Sequence, residues 1–321
     1  MKKLYLSNLQ TKIPSSSITV KEYIDYFSNW KEDDDPFYWL IKDSNIPFHS
    51  NIKTDFIWAL DEPIPALQNS ISDMLITWLN DCHISEDNIN FLMYCHETVE
   101  HHSSLTTAFK VKQKLKLKKC LPFSIGHSGS LAVASGIEVA ASLVAEEEGE
   151  LLFIIADSYD PPLKRLSNDA FIKGDAFTSM TVNHSDGEYE LVSFGRYSAL
   201  RPPTDSNLSC TNYLKQEELL LEQSYRVIKD VIKAHSINNV IAQNLSTHYI
   251  ESINDFCLKN KMKFTKRMEW GNINFLGSDP FITLNHAYKS TERTEDGTFL
   301  LLWGSIHHGV GYMVIKTVNK T

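Results

Sequence analysis

Two kinds of apolar run alternate along the chain. Short unbroken runs, Asn90–Tyr94, Leu121–Ile125, Leu151–Ala156, Asn239–Ala242, Gly297–Trp303 and Val310–Ile315, predict strands, because a strand covered on both faces has no polar side to alternate with. Lys3–Leu9 and Tyr189–Phe194 predict two further strands. Between them, apolar residues recur at steps of three and four and predict helices. One follows Pro65 through Leu67, Ile71, Met74, Leu75 and Trp78; others cover Val20–Trp30, Leu105–Leu117, Gln216–Ala234, Ser246–Lys259 and Ser278–Tyr288. The helix carrying Leu131, Ala134, Ile137, Ala141 and Val144 has small or apolar residues on most sides, which predicts burial all round. It opens from the 121–125 strand at Gly126 without a loop and surfaces at the acidic Glu146–Glu150. Leu151–Ala156 then ends at Asp157, and Gly174-Asp175-Ala176 leads into another strand.

Strand and helix alternate twice in similar order, which predicts an α/β protein of two halves. The one linker-like segment, Ala199–Asn212 with Pro202-Pro203, divides an N-terminal half, 1–198, from a C-terminal half, 199–321. The helices beginning near Ser128 and Ser246 are expected between the layers.

Composition narrows the function classes. The 321 residues are 42% hydrophobic and 22% charged, ordinary for a folded globular chain. A net charge of -9 argues against nucleic acid as the principal ligand. No run approaches the ~20 apolar residues of a membrane helix, and the start, MKKLYLSNLQTKIP, lacks the apolar core of a signal peptide. Five scattered cysteines without a CxxC pair predict free thiols in a reducing cytoplasm. No metal or cofactor is expected: His96, His101 and His102 lack a ligand pattern with carboxylates or cysteines.

The chemistry concentrates where the 121–125 strand meets the buried helix. His127 and Ser128 stand at a helix N-terminus, where unpaired amides and the positive dipole end can hold an oxyanion. In these segments and their order the chain resembles the thiolase superfamily, and within it the ketoacyl-acyl-carrier-protein synthase III group. Lys12-Ile13-Pro14 with Thr19 and Tyr23 resembles the group's opening strand and first helix. Phe123–Gly129 occupies the nucleophile strand and elbow; Gly174-Asp175-Ala176 is similar to a glycine-aspartate signature. Ile237–Ser246 resembles the histidine-bearing segment, Trp270-Gly271-Asn272 the glycine-asparagine turn, and Leu300–Ile315 the closing hairpin. The resemblance implies a thiolase-like fold: two similar βαβαβαββ halves with stacked sheets, layered α-β-α-β-α.

The departures decide the functional expectation. The group uses cysteine as acyl acceptor, with histidine and asparagine supporting condensation. The resemblance puts His127 at the cysteine position and Gln243 at the histidine position, and only Asn272 keeps the group's identity. The closing hairpin reads Gly304-Ser305-Ile306-His307-His308-Gly309. Each residue also has a structural role open to it. His127, held neutral by burial and the dipole, can fill the cysteine's space; Ser128 can cap the helix; Asn272 can close a turn; His307 and His308 can be plain loop residues. Gln243 donates hydrogen bonds but is no base. The lysines at 110, 112, 114, 116 and 118 form a solvated face, or one that meets an acidic carrier protein. The resemblance therefore implies a non-condensing partner of a cysteine-bearing synthase subunit, in heterodimer or homodimer, acting near acyl-CoA or acyl carrier protein. One alternative is an acyltransferase using Ser128 or His127. Another is an α/β-hydrolase with Gly126-His127-Ser128 as nucleophile elbow, although that motif needs glycine where Ser130 stands, and Asp255 with His286 or His307 would be arbitrary partners.

Overall fold

The computed structural model describes residues 3–29, 59–68, 70–82, 88–98, 106–126, 128–146, 149–159, 171–197, 210–290, 297–306 and 308–318. His101, His102, His127, His307 and most of the expected linker lie outside the described residues. The larger strands are β1 (Leu4–Lys12), β4 (Ile89–Cys95), β5 (Leu121–Ile125), β6 (Glu150–Asp157), β8 (Ala176–Asn183), β9 (Tyr189–Tyr197), β10 (Asn239–Ala242), β13 (Thr298–Ser305) and β14 (Gly309–Thr317). Shorter ones are β2 (Ser17–Thr19), β3 (Pro63–Pro65), β7 (Ile172–Lys173), β11 (Lys263–Phe264) and β12 (Ile273–Asn274). The helices are α1 (Val20–Asn29), α2 (Ile71–Asp81), α3 (Thr107–Lys114), α4 (Ala132–Glu146), α5 (Cys210–Ala234), α6 (Thr247–Lys259) and α7 (Asp279–Ser290).

Ten strands form one sheet in the order β11-β10-β13-β14-β9-β1-β8-β6-β4-β5. Two sets of five repeat the same pattern. In the first, β5 and β6 flank β4 in parallel, β8 runs antiparallel to β6, and β1 antiparallel to β8. In the second, β11 and β13 flank β10 in parallel, β14 runs antiparallel to β13, and β9 antiparallel to β14. The first strands of the sets, β1 and β9, pair antiparallel from Leu4↔Leu191 to Leu6↔Tyr189 and join the two.

Successive residues of each central strand serve different layers, as a two-residue period requires. Phe153 and Ile155 face a central core shared with Val133, Ile137 and Val144 of α4, Phe281 and Leu284 of α7, and Leu301 and Trp303 of β13. Leu152 and Ile154 face outward onto α2 and α3. In the second set Leu300 and Leu302 face outward onto α5 and α6. The order is therefore helices, strands, α4 with α7, strands, helices: five layers, as the thiolase-like expectation had it. A single hydrolase-type sheet has no place for this doubled pattern, and the α/β-hydrolase alternative falls with it.

Several local expectations are corrected. The helix at Thr247 packs Tyr249, Ile250, Ile253 and Cys257 in the outer core, and α7 takes the central position beside α4 instead. The helix expected straight after Pro65 starts at Ile71, with the Ser70 side chain accepting from Asp73 N at 3.3 Å. The helix carrying Val144 does not open directly from β5; a 3₁₀ turn at Gly129–Leu131 precedes it. The segment expected to be linker is helical from Cys210 onward. Thr19 caps α1: Glu22 N donates to Thr19 Oγ1 at 3.1 Å, while Thr19 N donates to Glu22 Oε2 at 2.7 Å, a reciprocal capping box. No helix of the described residues is long and apolar enough to cross a membrane.

Candidate functional site

The site lies where the C-terminal ends of β4, β6 and β10 meet the 3₁₀ turn before α4. Four cysteines with described side chains, Cys82, Cys95, Cys120 and Cys257, are free, but none supplies a ready nucleophile. Burial pushes the Cys95 thiol well above its ordinary range, Cys120 up to about 11 and Cys257 up to about 12.

Gln243 ends β10 and is 1% exposed. Its Oε1 accepts from Gly304 N at 3.1 Å, and its Nε2 donates to Ser130 Oγ at 2.8 Å and to Asn274 Oδ1 at 3.1 Å. Both ends of the amide are thus engaged. Asn272 is not brought to Gln243: its Nδ2 donates to Glu62 Oε1 at 2.5 Å. Asn274, two residues further on, stands beside Gln243, held by Leu276 N donating to its Oδ1 at 2.8 Å. Ser128 has φ -119° and ψ 21° and makes no side-chain cap bond, so its hydroxyl is not spent on the helix end. Gly129 has φ +57°, and a Cβ there would lie 2.7 Å from Ser305 Oγ and 3.6 Å from His308 Cδ2. The tip of the β13–β14 hairpin therefore covers the turn, and only glycine permits both the backbone angle and the approach. His96 is structural: it stacks on Tyr94 with ring centroids 4.9 Å apart, its Nδ1 lies 2.6 Å from Thr98 O, and its ring packs against Gly126.

Residues without an expected role in the site complete it. Ser130, 2% exposed, donates its hydroxyl proton to Glu97 Oε2 at 2.8 Å. Tyr159 OH donates to Glu97 Oε1 at 3.1 Å, and Lys173 Nζ donates to Tyr159 OH at 2.9 Å. Lys173 Nζ also lies 3.9 Å from Glu97 Oε1. The parallel pairing of β7 with β12 places Lys173 opposite Asn274, so one small sheet carries residues from both sequence halves into the cluster. The available signals were weak: one serine among apolar neighbours at a helix start, and one glutamate just past a buried strand.

Two buried carboxylates hold the frame. Asp157, at the end of β6, accepts from Glu97 N at 2.6 Å and Thr98 N at 3.0 Å, which positions Glu97. Burial, reinforced by the charge of Glu97, raises its pKa to about 7 against these hydrogen bonds. Asp175 accepts from Leu67 N at 2.8 Å and Tyr159 N at 2.9 Å, so the glycine-aspartate signature positions Tyr159. Its neighbour Gly174 lies so close to Ile273 and Phe275 that a Cβ would come within 2.7 Å of Ile273 Cγ2. On the opposite side Arg267, wholly buried, donates to both oxygens of Asp279 at 3.2 Å, to Ile273 O at 2.6 Å and to Thr283 Oγ1 at 3.0 Å. Asp279 in turn accepts from Asn244 N at 3.1 Å and Phe275 N at 2.8 Å. One ion pair thereby fixes the segments that bear Gln243 and Asn274.

The sequence matches no protein-family model and no curated relative. The structure, however, is similar to solved structures over nearly its whole length. ChlB3, an acyltransferase, aligns with a TM-score of 0.69 at 14% identity, over 99% of this chain and 98% of that one. The 3-oxoacyl-[acyl-carrier-protein] synthase III of Aquifex aeolicus aligns with a TM-score of 0.68 at 13% identity, over 98% and 99%. AbyA1, a tetronic acid condensing enzyme, aligns with a TM-score of 0.68 at 11% identity, over 98% and 100%. The chain has the thiolase-like fold of the synthase III enzymes.

Proposed function

We propose that this chain is a synthase III-like subunit that performs no decarboxylative condensation and completes a dimer with a cysteine-bearing synthase subunit in acyl-thioester metabolism of the fatty-acid or polyketide kind. The observation that carries the reading is the Gln243 amide. At the position the resemblance gives to a histidine stands a group with no basic nitrogen, already engaged by Gly304, Ser130 and Asn274. Such a group cannot shuttle the charge that condensation develops.

The dimer is supported by the free margin of β5. Among the described residues that strand pairs with β4 alone and ends the ten-stranded sheet, Leu121 on it is 60% exposed, and Phe109 on the adjoining α3 is 55% exposed. An unpaired strand edge with exposed apolar side chains invites a second chain. Acyl transfer on Ser128 or His127 is the second reading, favoured by the Ser128 hydroxyl that caps nothing. The fold itself serves an acyltransferase in one structural neighbour and condensing enzymes in others.

Co-expression with any cysteine-bearing synthase III-like protein found encoded beside this chain's gene, followed by light scattering, tests the reading. A one-to-one complex that forms product, with output little changed by His127→Ala, is expected. An isolated monomer with His127 or Ser128 essential for activity would overturn it.

A further inference from the structure

The cluster around Glu97 has a polarity the partner role leaves unused. Two short chains of donors converge on its carboxylate. Gln243 donates to Ser130 and Ser130 to Glu97 from one side, while Lys173 donates to Tyr159 and Tyr159 to Glu97 from the other. The Glu97 carboxylate lies 2.8 Å from the Ser130 hydroxyl, within reach of its proton, and the Tyr159 hydroxyl holds its other oxygen. Ser130 sits in the turn that opens α4, where the positive end of the helix favours a developing oxyanion. Its side chain is buried, but those of Glu97 and Lys173 are 25% and 28% exposed, so the cluster reaches solvent along the Glu97 side.

We infer that Ser130 and Glu97 form a serine-carboxylate pair that removes acyl groups from thioesters by hydrolysis. The inference takes the thioester as substrate from the function proposed above; the pair itself does not depend on that reading. Ser130 Oγ adds to the acyl carbonyl while Glu97 takes the hydroxyl proton. The carbon–sulfur bond breaks as Glu97 passes that proton to the departing sulfur, which leaves as a thiol, so Glu97 is a carboxylate again and Ser130 carries the acyl group as an oxygen ester. Water then loses a proton to Glu97, attacks the ester and releases the carboxylic acid, and the proton returns to Ser130. Gln243 Nε2 steadies the negative charge on Oγ in both halves. Tyr159, with Lys173 behind it, holds Glu97 in place and is a positioning residue.

Two acyl donors separate the parts of this claim: 4-nitrophenyl acetate, which needs only a reactive serine, and acetyl-CoA, which needs thioester recognition. Mass spectrometry with fragment mapping on the full chain is expected to find the acetyl group on Ser130 from both. Nitrophenolate release should fall to the buffer rate in Ser130→Ala, persist in Ser130→Cys, and slow roughly a hundredfold in Glu97→Gln, with the melting temperature confirming each fold. Where Ser130→Ala does not fold, Ser130→Cys carries the test through a thioester-linked acetyl at the same position. Labelling by the aryl ester alone would uphold the Ser130–Glu97 pair and overturn the thioester substrate. Acetyl on Ser128 instead, undiminished release in Ser130→Ala, or a folded wild type unlabelled by either donor would overturn the pair.

Discussion

Arg267 and Asp279 show how few residues hold the site in shape. Their pair is fully desolvated, so removing one partner strands the other charge. Arg267→Ala is expected to lower unfolding stability by about 3–5 kcal/mol in denaturant titration, and to loosen the segments bearing Gln243 and Asn274 together. Asp157 gives a pH signature. Its carboxyl is raised from 3.8 to about 7 in the folded chain. Between roughly pH 4 and 7 the folded chain keeps a proton that the unfolded chain has released, so stability falls as pH rises through that window and levels off above it. The loss amounts to about 4 kcal/mol. Asp157→Asn, which retains an oxygen for the Glu97 and Thr98 amides, should flatten that slope in melting curves. Single residues were only partly legible in the sequence. Gln243 could be read because it ends an apolar strand. The resemblance pointed to Asn272 alone, while Asn274 is the one beside Gln243; the positive φ of 56° at Trp270 redirects the chain just before them. Arg267 reads as one more surface cation until the fold closes around it.

At the level of elements, β5 is the most exposed to test. Leu121 projects into solvent at the sheet margin, so Leu121→Lys should change unfolding stability by no more than about 0.5 kcal/mol while abolishing the partner complex in light scattering. A complex that survives this change places the interface elsewhere. The strands were the most legible elements, since β4, β6, β10 and β13 are covered on both sides and read as unbroken apolar runs. The small-residue pattern of α4 likewise announced a central helix. The position of α7 was hidden because Asn285 and His286 interrupt its apolar side: Asn285 Nδ2 donates to Thr11 Oγ1 at 2.8 Å, and His286 lies 3.9 Å from Glu269. The helix at Thr247 misled in the opposite sense, because its apolar stripe seats against the outer side of the second strand set and Leu258 faces solvent.

In the whole molecule, the doubled strand pattern brings two carboxyl-end clusters, from β4 and β6 on one side and β10 on the other, to a single place. The fold provides the location, and side chains decide its use. Among the described residues that place holds a glutamine, a serine and a glutamate, and the proposed function rests on condensation needing a base beside a thiolate there. Release of carbon dioxide from malonyl-CoA and malonyl-carrier protein isolates that requirement, because it needs no acyl primer and no partner. The purified chain is predicted to release it at the buffer rate, with no change in Gln243→Ala. Release well above buffer, lost in Gln243→Ala or Asn274→Ala, would contradict the account.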